Sequence, residues 1–282
     1  MSASIKMIEN QKTKDIIRSG YAKIAIGERG SCCGPNASCC GSSDPANLAQ
    51  TLGYDQASLE GLPEGANMGL SCGNPVAIAA LLEGQTVLDL GSGGGFDVFQ
   101  AGKQVKESGR VIGVDMTPEM LSAARHNIEQ YRKLTGLDNV EFRLGEIEHL
   151  PVPDASVDVV ISNCVINLST DKEQVWREIF RVLKPGGKVV VSDIALLKPL
   201  PPEAVQAATA MVGCVAGAIE VEETRHILNR TGFCRIQLTP KSEYIQEMMA
   251  CSGSLHQEIS ESLPPEAHIG DYLVSLDIEA IK

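Results

Sequence analysis

Residues 86–97 read TVLDLGSGGGFD. The first five carry the apolar, β-branched signature of a buried strand, and that strand runs straight into a glycine-rich turn. Such a turn lets backbone approach a ligand closely, and the helix that follows presents free N–H groups at its start. The spacing is Asp89-x-Gly91-x-Gly93-x-Gly95, with Ser92 between the first two glycines. A dinucleotide fingerprint asks for glycine at position 96, where this chain has Phe96. Asp89, two residues before the first glycine, is also unusual for a nicotinamide cofactor. A carboxylate there can meet a cationic ligand group, such as the amino group of a methionine-like tail. The plain alternative is a tight βα turn with no ligand.

The pattern repeats outward from this stretch. VIGVD (111–115), VEFRLG (140–145), VDVVIS (157–162) and KVVVSD (188–193) read as further strands. Helices are expected over 118–134, with Thr117 as cap, and over 172–183, ending at LKPGG. Strands alternating with helices specify a parallel sheet with right-handed crossovers. Upstream, a helix is expected over 4–27. Residues 28–73 are rich in Gly, Ser, Asn and Pro and read as loop, with a short helix at about 45–52. Asn74-Pro75 starts another helix over 76–83. Downstream, helices are expected over 203–219 and 221–233, helix and loop over 243–270, and strands over 235–241 and 272–281 that finish the sheet. The division this suggests is 1–70, an N-terminal helix and Cys-rich segment; 71–198, a cofactor-binding core; and 199–282, a substrate-binding region completing the sheet.

Composition narrows the partners. The 282 residues carry a formal net charge of −12, which repels phosphate backbones and anionic lipid, so neither nucleic acid nor membrane is expected as a partner. Residues 1–14 lack an apolar h-region, and the longest apolar stretches, eight and 13 residues, are too short for a bilayer. A cytoplasmic location is expected, where thiols stay reduced. The nine cysteines then read as ligands or redox groups, since an odd number cannot pair completely within one chain.

Three further features sharpen the cofactor reading. Asp115 ends the second strand, where a carboxylate can accept both ribose hydroxyls. Gly145-Glu146-Ile147 follows the third strand, where an adenine edge can be read. Met116 and Thr117 either line the adenosine or only cap their helix. With LKPGGKVVVSD, these residues make positions 70–195 resemble the class I S-adenosylmethionine-dependent methyltransferases. The resemblance implies a Rossmann-like, doubly wound, mostly parallel sheet with an antiparallel last strand, which suits 272–281. It implies S-adenosyl-L-methionine as cofactor, bound by Asp89, Gly91, Ser92, Gly93, Asp115, Met116, Gly145, Glu146, Ile147 and Asn163.

The acceptor side is decided by cysteines. The fourth strand delivers Asn163-Cys164-Val165 to the ligand edge of the sheet. Amine methyltransferases often place an Asn-Pro-Pro-aromatic turn there, whereas this chain places a thiol with no general base beside it. Cys72 precedes the Asn74-Pro75 helix start, where a thiol pKa can be lowered. Cys214 lies in MVGCVAGAIE, in the segment after the fifth strand. Thiolates prefer soft elements. Trivalent arsenic bound by three sulfurs keeps a lone pair able to attack a sulfonium methyl group, and no catalytic base is required.

Four stretches, LSCGNP (70–75), SNCVINL (162–168), LKPGG (183–187) and GCVAGAI (213–219), resemble the arsenite methyltransferase family. The resemblance implies arsenite or its thiol conjugates as substrate and Cys72, Cys164 and Cys214 as the arsenic(III) ligands and catalytic thiols. A further family cysteine falls in SCCGPNASCC (31–40), among Cys32, Cys33, Cys39 and Cys40. Longer members carry an additional domain for which 282 residues leave no room. The expected role of the cluster, centred on Cys32 and Cys33, is a thiol relay that passes oxidising equivalents to thioredoxin or glutathione. A cramped zinc or iron–sulfur site and spectator thiols are the alternatives. Two other functions compete: methylation of a quinone-type small molecule, which leaves the cysteines idle, and metalloid binding without turnover. Cys234 and Cys251 read as ordinary core residues.

Overall fold

The computed structural model describes residues 3–27, 49–50, 52–54, 56–71, 73–202, 204–205, 215–242, 261–264 and 266–282. Cys32, Cys33, Cys39, Cys40, Cys72, Cys214 and Cys251 lie outside the described residues, as do most of the helices expected over 45–52 and 203–219 and most of 243–270.

The chain begins with helix α1 (Ala3–Ala25), then short helices α2 (Gln56–Leu59) and α3 (Pro75–Ala79). The alternating unit follows: β1 (Thr86–Leu90), α4 (Phe96–Val105), β2 (Arg110–Asp115), α5 (Pro118–Thr135), β3 (Val140–Leu144) and β4 (Val157–Asn163). It closes with α6 (Lys172–Val182), β5 (Leu183–Leu196), α7 (Val221–Thr231), β6 (Cys234–Lys241) and β7 (Leu273–Ile281). The seven strands lie in the order β3-β2-β1-β4-β5-β7-β6. β1 to β5 are mutually parallel, and β7 is antiparallel to both β5 and β6. The strand order reverses between β1 and β4, the switch point where open α/β sheets bind ligands.

Buried strands explain the sheet. In β1, Val87 faces one core and Leu88 the other; in β4, Val159 and Ile161 alternate with Val157 and Val160. Both faces of the sheet are therefore dry, and these strands read as near-continuous apolar runs. Trp176 and Ile179 of α6 pack on one face, and Phe99 of α4 and Leu121 and Tyr131 of α5 on the other.

Three boundaries differ from expectation. The helix expected over 172–183 ends at Val182 with Leu183 as its cap, and LKPGG itself opens β5, which begins at Leu183 rather than at Lys188. α3 stops at Ala79, four residues short of the expected end, because Ala80 turns left-handed at φ 43°. Cys234, expected in the core, is exposed at the start of β6. Among the described residues, no helix is long and apolar enough to cross a membrane.

Candidate active site

The glycine turn after β1 is held from beneath. Gly91 and Ser92 both donate their N–H groups to the Val114 carbonyl, at 2.7 and 3.0 Å. Gly91 is required twice: its φ is +67°, and a Cβ there would stand 2.3 Å from a methyl of Val165. Gly93 is different. Its φ is +50°, but a Cβ would approach nothing closer than Met120 Sδ at 4.0 Å. That Cβ would occupy open space in a cleft.

The cleft encloses about 1040 Å³, its open mouth included, at the carboxyl ends of β1, β2 and β4. Asp89, Asp97 and Asp115 all line it, with Met116, Gly145 and Ile147 along one wall. Asp115 braces the turn, accepting from Gly93 N at 2.9 Å and from Thr117 N at 2.8 Å. Ser92 Oγ is buried without a hydrogen-bond partner among the described residues.

The electrostatics call for a cation. Burial drives the Asp89 carboxyl well above the ordinary range, and the charges of Asp97 and Asp115 push it further. Burial raises Asp97 to about 6 against the opposing hydrogen bonds of Tyr54 and Asn163. Asp115 is also raised by burial, against the N–H groups of Thr117 and Gly93. Three buried carboxyls, one of them raised further by the charges of the other two, are relieved by a positive ligand. A sulfonium and an ammonium group, with a nucleoside beyond them, suit this cleft.

α1 forms part of the wall, which its sequence did not signal. Lys14, Ile17 and Tyr21 reach the cleft. Burial draws the Lys14 ammonium down, but its pairing with Glu146 (2.7 Å) and Glu148 (3.3 Å) outweighs that and leaves it raised. Glu146, expected at the adenine, instead faces Lys14 and Arg18 and does not line the cleft. Glu148 lines it in that position, accepting from Ser169 Oγ at 2.7 Å.

A buried cluster joins the two ends of the cleft. Tyr54 Oη donates to Asp97 Oδ1 at 2.7 Å, with the Gly73 carbonyl at 3.2 Å as a second acceptor. Asn163 Nδ2 donates to the Gly73 carbonyl at 2.9 Å and to Asp97 Oδ2 at 3.1 Å. Phe96, in place of a third motif glycine, packs against Tyr54 in a tilted arrangement with ring centroids 5.0 Å apart.

At the far end stands Cys164, buried, on the cleft wall and in a disulfide. It takes φ +57°, strained for a non-glycine residue, and donates its N–H to the Ser192 carbonyl at 2.9 Å. Gly73 packs on the same serine: a Cβ there would lie 2.5 Å from Ser192 Cβ. Gly217 presses on the turn after Cys164, where a Cβ would stand 1.9 Å from the Asn167 carbonyl oxygen. Asn167 donates to Asp193 Oδ1 at 2.9 Å and to the Ile194 carbonyl. Burial lifts Asp193 to about 6, opposed by N–H groups of Ile194 and Asn167 and by Lys172.

The structure thus brings Asp89, Gly91, Ser92, Gly93, Asp115, Met116, Gly145, Ile147, Asn163 and Cys164 to one cleft. Sequence reasoning missed Tyr54, Asp97 and Glu148. Asp97 had a signal, a carboxylate in the first turn of the helix behind the glycines. Tyr54 had none, lying 43 residues from its partner.

Comparisons with known proteins agree with this geometry. The methyltransferase-domain family matches residues 81–232. An arsenite methyltransferase of Halobacterium salinarum is 42% identical over 279 residues, covering 96% of this chain and 67% of that protein. Human arsenite methyltransferase is 38% identical over 168 residues, covering 58% of this chain and 44% of that protein. The chain therefore spans about two thirds of the first relative and less than half of the second. The crystal structure of an arsenic(III) S-adenosylmethionine methyltransferase from Chlamydomonas reinhardtii superposes with a TM-score of 0.61 at 31% identity, covering 85% of this chain and 75% of that one. A phosphoethanolamine N-methyltransferase of Haemonchus contortus, in complex with S-adenosyl-L-methionine, shares the fold at 20% identity, with a TM-score of 0.59 and coverage of 86% and 60%.

Proposed function

The chain belongs to the arsenite methyltransferase family of S-adenosylmethionine-dependent enzymes, and on that premise we propose that it methylates trivalent arsenic held by Cys72, Cys164 and Cys214. The observation that carries the reading is the convergence at the far end of the cleft. Gly73, the neighbour of Cys72, and Cys164 meet on Ser192, and Gly217, three residues after Cys214, presses on the turn that Cys164 opens.

The cofactor supplies an electrophilic methyl group on a sulfonium. Asp89, Asp97 and Asp115 hold its cationic end and ribose, the open space at Gly93 admits its close approach, and Gly145 and Ile147 border the base. Three thiolates bind arsenite and displace its hydroxyls. They orient the arsenic lone pair toward the methyl group, so no side chain has to act as a base. Methylation raises arsenic formally from III to V. Two thiolates then supply two electrons, become a disulfide and return the arsenic to III. An external dithiol clears the disulfide. Cys164 is disulfide-bonded in the structure, and in this reading that bond is reduced before arsenite binds.

In this reading residues 71–198 bind the cofactor, 199–282 complete the sheet and the thiol end, and 1–70 contribute Lys14, Ile17 and Tyr21 to the cleft wall and carry the relay thiols Cys32, Cys33, Cys39 and Cys40. Thioredoxin or glutathione is the reductant and the reducing cytoplasm the setting. The test is transfer of labelled methyl from S-adenosylmethionine to arsenite and to a quinol in parallel. Label on arsenic alone supports the reading; label on the quinol alone overturns it.

A further inference from the structure

Asn163 directly precedes Cys164, and Gly73 directly follows Cys72. One amide joins them: Asn163 Nδ2 donates to the Gly73 carbonyl at 2.9 Å. The same amide donates to Asp97 Oδ2 at 3.1 Å, and Asp97 lines the cofactor end of the cleft. Tyr54 spans the same pair, 2.7 Å from Asp97 Oδ1 and 3.2 Å from the Gly73 carbonyl. Every donor that reaches Asp97 in this cluster also reaches Gly73.

Neither end has slack. Gly73 lies so close on Ser192 that a Cβ would come within 2.5 Å of its Cβ. Cys164 is held at a left-handed φ of +57° with its N–H on the Ser192 carbonyl. Tyr54 is buried and wedged against Phe96. A shift of the Asp97 carboxylate therefore moves Tyr54 and Asn163, and through them the backbone beside two of the arsenic-binding cysteines.

We propose that Asn163 and Tyr54 are positioning residues that couple occupation of the cofactor end of the cleft to the geometry of its thiol end through Asp97. A cationic ligand holds the Asp97 carboxylate in place. Held there, both of its oxygens keep accepting, one from Tyr54 and one from Asn163, and the Gly73 carbonyl stays fixed relative to Cys164. The arsenic site is complete when the cofactor is seated. Methyl transfer needs reacting atoms about 3–3.5 Å apart and in line, and a displacement of about 1 Å costs on the order of 100-fold in rate. Coupling of this kind keeps arsenite from settling in a site with no methyl donor aligned.

The inference rests on the arsenite reading for its second ligand, and coupling between two binding sites is reciprocal. The experiment is calorimetric titration of the reduced full-length chain with arsenite, without and with saturating S-adenosylhomocysteine. That ligand carries the ammonium group but no transferable methyl. Wild type is expected to bind arsenite about fivefold or more tighter with it. In Tyr54→Phe and Asn163→Ala that ratio is expected to fall to within about twofold of unity, while in Tyr54→Phe arsenite affinity without the ligand stays within about threefold of wild type. A ratio near one in wild type, or the wild-type ratio retained in both variants, overturns the relay. A wild type that binds S-adenosylhomocysteine but no arsenite overturns the methylation reading as well, and this tells the two failures apart. Should Asn163→Ala fail to fold, Tyr54→Phe removes a single hydroxyl and decides the matter alone.

Discussion

The two ends of the cleft are built in different ways. The carboxylates and the glycine turn of the cofactor end come from one continuous stretch, β1 to β3, in which each strand delivers its own carboxylate or turn to the same edge. Its ligand groups are set by local sequence. The thiol end is assembled from segments far apart in the chain, residue 73, residues 163–168 and residues 215–217, pressed together by close packing. A continuous stretch tolerates change around it. An assembled one fails when any contributor shifts. Substitutions should sort accordingly, into those that alter affinity for the cofactor and those that alter transfer.

The largest effect belongs to the thiol end. Cys164→Ser exchanges a soft ligand for a hard hydroxyl. It is expected to lower arsenite methylation on the order of 100-fold or more, while the Kd for S-adenosylmethionine, measured by calorimetry, stays within about twofold because no cofactor contact is removed. A parallel loss of cofactor affinity would break the separation between the two ends.

Asp115→Ala should do the reverse. It removes a charged acceptor from the cofactor, a loss of about 1.5–3 kcal/mol, or roughly 10- to 150-fold in Kd. Arsenite binding by the ligand-free chain should be unchanged. The turn divides more finely. Gly91→Ala meets Val165 and a left-handed φ, so overpacking of about 1–3 kcal/mol should lower the melting temperature by several degrees. Gly93→Ala shares the left-handed φ but meets no close neighbour, so it should lower the melting temperature less than Gly91→Ala and add a loss of roughly tenfold in cofactor affinity. Equal melting temperatures for the two variants would contradict the geometry drawn for the turn.

The smallest effect is one of pH. Burial raises Asp97 to about 6 in the folded chain, against about 4 for an ordinary carboxyl. The neutral acid is what the ligand-free fold favours. The stability Asp97 contributes is present below about pH 4 and is lost as pH rises through 6. The cationic cofactor favours the ionised form, so its affinity should weaken as pH falls below 6, at most about tenfold per unit. Thermal denaturation checks the sign: the shift produced by S-adenosylmethionine should be larger at pH 7 than at pH 5. Asp193 is raised to the same value at the thiol end. It should affect the pH dependence of the ligand-free chain and leave that shift unchanged.

The same division explains what the sequence disclosed. β1 and β2 are apolar runs ended by glycine or a carboxylate, and β4 is one ended by Asn163, so the sheet and the cleft edge could be located within a residue or two. Asp89, Gly91, Gly93 and Asp115 were legible because period-2 alternation and turn chemistry act over neighbours. The side chain of Glu146 turns to Lys14 and Arg18 of α1, because beyond the end of β3 alternation no longer sets direction. Tyr54 meets Asp97, and Gly217 meets Asn167, only through tertiary packing. β5 was read short because antiparallel pairing with β7 carries it on to Leu196, and pairing of Leu183 with Val157 of β4 carries it back.

The most direct measurement is a single turnover. Fully reduced chain is mixed with one equivalent each of arsenite and methyl-labelled S-adenosylmethionine, with no external reductant. The expected result is label on arsenic, at most one methyl per chain, with the loss of two thiols for each methyl transferred. Label that stays on the cofactor, although calorimetry shows both ligands bound, would contradict arsenic methylation at these thiols.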